Sequence, residues 1–141
     1  MENITQDSKI SESLNQKQVM SRNIMFVKDE KSFQDVVYTL LKPMGFEVTI
    51  VSSGFEALSL FVDSRFAIVI IDFAIPHMNS LILATNIKKI SPSISIILLV
   101  DGENEDDIDK LKTGRELFYS IIFKPFKMNE LQNAIEGALI Y

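Results

Sequence analysis

Phe66-Ala67-Ile68-Val69-Ile70-Ile71-Asp72 is the stretch whose reading decides the fold. Six apolar residues follow one another without the alternation that a strand with one wet face would show. Such a run suits a strand covered by protein on both sides, as in a parallel sheet between two helical layers. A carboxylate, Asp72, closes it. The rest of the chain has to supply neighbours for this strand and a reason for the charge at its end.

Working outward, the pattern alternates between short apolar runs and helical spacing. Ile24-Met25-Phe26-Val27 reads as a first buried strand. Phe33, Val36, Val37, Leu40, Leu41 and Met44 recur at helical intervals, with Ser32 as cap, Pro43 in the last turn and Gly45 beyond it. Residues 46–51 form a second strand, and Phe55, Leu58 and Phe61 mark a short helix after Gly54. After the 66–71 strand, Leu81, Leu83, Ala84, Ile87 and Ile90 predict a helix closed by Ser91-Pro92. A fourth strand covers 94–100, followed by a helix that starts near Asp106 and Asp107 and ends before Gly114. Residues 120–123 are a fifth strand, and Leu131, Ala134, Ile135, Ala138 and Leu139 a last helix. Five strands, each followed by a helix, predict an α/β fold with a parallel sheet.

Composition narrows the function. The 141 residues carry 14 Lys and Arg against 19 Asp and Glu, a net charge of −5, which argues against a phosphate-backbone binder. No cysteine is present, so thiolate chemistry is excluded, and one histidine is too few for a His-based zinc cluster. No apolar run approaches the length needed to span a bilayer. Residues 1–22, dominated by Ser, Gln and Asn, read as a flexible tail preceding a globular unit at 23–141. The expectation is one cytoplasmic domain, with no nucleic acid and no membrane among its partners.

In a doubly wound sheet, sites form at the carboxyl ends of the strands. Asp29, Asp72 and Lys124 each stand just past or at the end of an apolar strand, and the topology gathers those ends. Carboxylates brought close need a cation between them, commonly Mg²⁺, and an ammonium nearby can cradle a phosphoryl oxygen. Attack of a carboxylate on phosphorus, giving an aspartyl phosphate, is the chemistry that suits this set.

With these residues in view, the chain resembles a receiver domain of bacterial two-component response regulators. The match rests on NIMFVKDEKSF at the first strand, IIDFAIPHMNSL around Asp72 with Pro76 following, and Lys124-Pro125-Phe126. The resemblance implies a flavodoxin-like (CheY-like) (βα)5 fold with strand order 2-1-3-4-5. It makes Asp72 the acceptor of a phosphoryl group from a histidine kinase or phosphotransfer protein. Asp29, Asp72 and the backbone carbonyl of Ala74 would hold Mg²⁺, and Lys124 would contact the phosphoryl group. Val100 and Ile121 fall at the switch positions, and Lys28, Glu30 and Asp101 complete the pocket. The Lys124-Pro125 peptide is often cis in this family. The resemblance describes a signalling domain and not an enzyme, with a downstream partner on the helix 4–strand 5–helix 5 face. With the receiver pattern running to the last residue, Tyr141, a stand-alone receiver is expected, truncation of a longer protein being the other reading.

Four positions depart from the family pattern. Lys28 stands where the first of two consecutive acids is expected; making Asp29-Glu30 the pair spoils the step from Asp29 to Phe33. If Lys28 points inward it opposes a metal: two unit charges at about 4 Å and an effective dielectric of about 20 interact by about 4 kcal/mol, and a divalent ion doubles that. If it snorkels outward it has no role. Val100 replaces a Ser or Thr whose hydroxyl would follow the phosphoryl group. Asp101 takes the place of a small residue and either repels that group or pairs with Lys28 or Lys124. Ile121 replaces an aromatic switch. These departures favour the alternative of a pseudo-receiver, a phosphorylation-independent interaction module with Mg²⁺ binding weak or absent. A flavodoxin-like hydrolase is the remaining reading, although a phosphatase with two aspartates flanking one residue would need an acid at Ala74.

Elsewhere the readings are ordinary. His77 is expected on an exposed loop, the scattered Met residues fill core gaps, and Glu103 to Asp109 form a solvated acidic helix start. Val51-Ser52-Ser53-Gly54 lacks the further glycines or the Lys of a nucleotide loop.

Overall fold

The computed structural model describes residues 22–28, 34–63 and 65–140. Five parallel strands, β1 (Asn23–Val27), β2 (Glu47–Val51), β3 (Ile68–Asp72), β4 (Ser95–Asp101) and β5 (Ser120–Lys124), form a sheet of order β2-β1-β3-β4-β5. The expected strand order is the observed one. β3 is buried at all five positions and sits at the centre of the sheet.

Strand alternation divides the core into two layers. Ile24, Phe26, Ile68, Ile70, Ile97, Leu99 and Ile122 face one way. There they meet Val36 of α1 (Gln34–Val36, continued as a π-helix over Val37–Leu41) and Leu131 and Ile135 of α5 (Met128–Ile140). Met25, Val27, Val69, Ile71, Ile96, Leu98 and Val100 face the other way. They pack on α2 (Gly54–Asp63) and α3 (Ser80–Ile90), with Leu111 at the end of α4 (Glu105–Lys110). A helical layer on each side is what the unbroken apolar run at 66–71 requires.

Two helices differ from the simple reading. The first is π-helical over Val37–Leu41, where Lys42 N–H donates to the Val37 carbonyl at 2.8 Å and Phe46 N–H to that of Leu41 at 3.1 Å. Pro43 has no N–H and its ring crowds the carbonyl four residues back, so a widened turn relieves the helix end. The second is α4, which stops at Lys110 and gives way to a 3-10 turn over Arg115–Leu117. Between Asp106 and Gly114 only Ile108 and Leu111 are apolar, too few to hold three turns against the sheet. Side chains the sequence reading did not use cap α3 and α4: Asn79 accepts from Leu81 N–H at 2.7 Å, and Asn104 from Asp107 N–H at 3.1 Å. The proposed Ser32 cap and the tail up to residue 21 lie outside the described residues.

Truncating the central strand should be costly. Ile70→Ala, at a site with no exposure, is expected to destabilise by about 2–5 kcal/mol in urea unfolding. Ile82→Ala on the outer face of α3, where the side chain is 55% exposed, should change stability by less than about 0.5 kcal/mol. Equal losses at the two sites would contradict the two-layer core.

Candidate functional site

Alternation that buries Ile24 and Phe26, Ile68 and Ile70, and Ile122 on the α1/α5 side puts Lys28, Asp72 and Lys124 on that same side, at the carboxyl edge. Lys28 N–H continues the β1 ladder by donating to the Val51 carbonyl at 2.9 Å, which fixes where its side chain starts. Register brings β5 beside β4, with Lys124 opposite Asp101. Three charges distant in the chain thus meet at one corner of the sheet.

They meet on a single oxygen. Lys124 Nζ lies 2.7 Å from Asp72 Oδ2, and Lys28 Nζ lies 2.9 Å from the same atom. The other carboxylate oxygen, Oδ1, accepts the backbone N–H of Ala74 at 2.9 Å. The Asp72 side chain is 1% exposed, that of Lys28 12% and that of Lys124 27%. Lys28 therefore points inward more completely than Lys124 does, and the outward, roleless reading of this residue is not the one observed. Burial pushes the Asp72 carboxyl up, but the hydrogen bonds from Lys124, Lys28 and Ala74 outweigh it and hold the group below its ordinary 3.8. A buried carboxylate kept ionised by two ammoniums and an amide needs no base to expose its charge.

The other expected site residues divide. Asp29 and Glu30 lie outside the described residues. Ala74 reaches Asp72 through its N–H, whereas the resemblance had assigned its carbonyl to a metal. Val100 is fully buried among the side chains that face α2 and α3. Asp101 is exposed, and its Oδ1 accepts Glu103 N–H at 2.9 Å, the ordinary turn role of an Asp. The Lys28 ammonium pairs with the Asp72 carboxylate. Ile121 is half-buried in a shallow apolar groove with Ile108, Leu111 and Phe123. His77 is exposed and has a positive φ of 65°. The Lys124-Pro125 peptide is cis.

One element of the site had little sequence signal. Gly102 N–H donates to the Lys124 carbonyl at 3.1 Å, and a Cβ on Gly102 would lie 3.0 Å from that oxygen. The loop after β4 can close on the end of β5 because residue 102 has no side chain.

Magnesium, the cofactor implied by the resemblance, can be tested against these contacts. Among the described residues no group of three or more His, Cys, Asp or Glu is gathered to hold a metal. The only carboxylate described in the cluster already accepts from two ammoniums, and a divalent ion about 4 Å from Lys28 would face about 8 kcal/mol of repulsion at an effective dielectric of about 20. The described donor set does not fit a resident divalent cation.

Comparison with known proteins agrees with the fold. The family model described as the response regulator receiver domain matches residues 24–136. Among curated proteins, the transcriptional regulatory protein SrrA of Staphylococcus aureus (strain NCTC 8325 / PS 47) is 26% identical over 120 residues, covering 85% of this chain and 48% of SrrA. The chain thus spans about half the length of the curated relatives it matches. Among solved structures, a response regulator receiver domain protein from Clostridium thermocellum superposes with a TM-score of 0.70 at 28% identity, covering 84% of this chain and 94% of that one. The receiver domain of the sensor histidine kinase PA1611 from Pseudomonas aeruginosa PAO1, with magnesium coordinated in its active-site cleft, gives 0.74 at 23% identity over 86% and 99%.

The ion cluster makes a prediction about stability. A carboxyl whose folded pKa is depressed stabilises the fold above its unfolded pKa, and that contribution disappears as pH falls through the lower, folded value. Asp72→Asn should therefore cost about 1–3 kcal/mol in urea unfolding at pH 7, because two half-buried ammoniums lose the carboxylate they share. The gap between wild type and variant should narrow as pH drops below 3.8, the ordinary value. A gap that stays constant from neutral pH into that range would show that the ionised carboxylate is not its source.

Proposed function

The chain belongs to the response regulator receiver domain family, and from that premise we propose that Asp72 accepts a phosphoryl group from a histidine kinase or phosphotransfer protein. The observation that carries this reading is the buried, ionised Asp72 carboxylate with Lys124 Nζ at 2.7 Å. In the transfer, one Asp72 oxygen forms a bond to phosphorus while the bond from phosphorus to the donor's leaving group breaks. The bonding pair departs with the leaving group. No proton has to be removed first, because the carboxylate is already charged. Lys124 compensates charge that gathers on the phosphoryl oxygens, the role of a preorganised cation in phosphoryl transfer.

The domain acts as a signalling acceptor and reports its state to a protein partner. The α4–β5–α5 face supports such contacts: Phe123 and Leu139 are 41% and 40% exposed, and Phe123 borders the apolar groove with Ile108 and Leu111. The net charge of −5 speaks against nucleic acid as that partner. No described helix is long and apolar enough to cross a membrane, and we place the domain in the cytoplasm, where kinases carry phosphohistidine.

One observation favours a second reading. Lys28 Nζ at 2.9 Å from Asp72 Oδ2 places an ammonium against the acceptor oxygen, as expected of an interaction module that never carries phosphate.

Acetyl phosphate separates the two. Intact-mass analysis of the protein, with and without Mg²⁺, should show one added phosphoryl group that is absent from Asp72→Asn. Lys124→Met should slow its appearance by about 100-fold, the usual scale for losing one preorganised charge donor. A wild-type protein that takes up no phosphoryl group under either condition would favour the interaction module.

A further inference from the structure

We propose that Lys28 is a built-in replacement for the divalent cation, so that this pocket takes up a phosphoryl group without metal. The inference rests on the acceptor role given above to Asp72. Both ammoniums bracket one carboxylate oxygen, at 2.9 and 2.7 Å, while the Ala74 N–H holds the other at 2.9 Å. Lys28 is not an outlying surface charge swung inward: its amide is bonded to the Val51 carbonyl and its side chain is the more buried of the two lysines. Its position is therefore built by the sheet.

Charge accounting at the three described groups supports metal-free uptake. Before transfer, two ammoniums and one carboxylate sum to +2 − 1 = +1. Forming the mixed anhydride consumes the carboxylate charge, and the phosphoryl group brings about −2 at neutral pH. Within these three groups, the two ammoniums then face about two negative charges on the phosphoryl oxygens. The bond changes are those of the transfer already described: phosphorus exchanges acetate, or another leaving group, for an Asp72 oxygen. Lys28 enters as a donor of hydrogen bonds and charge to the phosphoryl oxygens.

The test uses beryllofluoride, a phosphoryl mimic, followed by fluorine NMR in metal-depleted buffer and then with added Mg²⁺. Acetyl phosphate uptake by intact mass is run in parallel. Wild type is expected to bind the mimic and take up phosphoryl groups in both buffers, with affinities within about threefold of each other. Lys28→Asp should lose about tenfold or more in metal-depleted buffer and recover with Mg²⁺. Lys28→Met, which keeps the packing of the stem, should lose binding in both. Amide NMR spectra establish that each variant is folded. Wild-type uptake that requires Mg²⁺ would overturn the proposal and leave Asp72 as acceptor. Uptake by Lys28→Asp with Mg²⁺ but by wild type under no condition would overturn it too, because Lys28 would then block the pocket. No uptake by any folded form would remove the acceptor reading itself.

Discussion

The structure depends on how a negative charge is kept inside the end of its central strand. Asp72 is 1% exposed and directly continues four fully buried aliphatic positions. An unmatched carboxylate there would cost several kcal/mol or give up its charge. Two ammoniums and an amide N–H match it, and each is delivered by a different stretch of the sheet edge: Lys28 after β1, Ala74 after β3, Lys124 at the end of β5. The order β2-β1-β3-β4-β5 makes this possible by seating β3 between β1 and β4, with β5 one strand further. Topology and electrostatics are therefore linked: an order that moved β1 or β5 away from β3 would separate the charge from its partners.

The same cluster is where this receiver departs from the pattern the resemblance implies. An acid in place of Lys28 would sit beside Asp72 as a second like charge and would call for a cation. With an ammonium there, the neighbouring charge is opposite in sign to that of Asp72. Val100 and Asp101 fit the same economy of parts, one absorbed into the layer under α2 and α3 and the other into a turn. Neither side chain extends the Asp72 contacts.

How much of this was legible in the sequence depends on the kind of signal. The sheet was readable because strands buried on both faces leave unbroken apolar runs such as 66–71, and the charged ends of those runs marked the site. Lys28 could be placed near the site but not oriented: a lysine stem packs equally well along a surface or into a pocket, and only the 2.9 Å contact decides. The π-helical turn escaped notice because Pro43 signals an ending without saying how the preceding turn adapts. The length of α4 was overestimated because the acidic start and Gly114 bracket a segment whose two apolar residues cannot sustain a helix throughout. The Ala74 N–H carries no side-chain code at all.

Gly102 gives Lys124 a mechanical partner. Its N–H is tied to the Lys124 carbonyl, and the approach is so close that a methyl group would press on that oxygen. The strand that carries one ammonium and the loop that opens toward α4 are thus joined by main chain, in a protein whose Val100 offers no hydroxyl to link them. A shift of the lysine backbone would therefore strain its bond to residue 102 and press on the turn that follows β4.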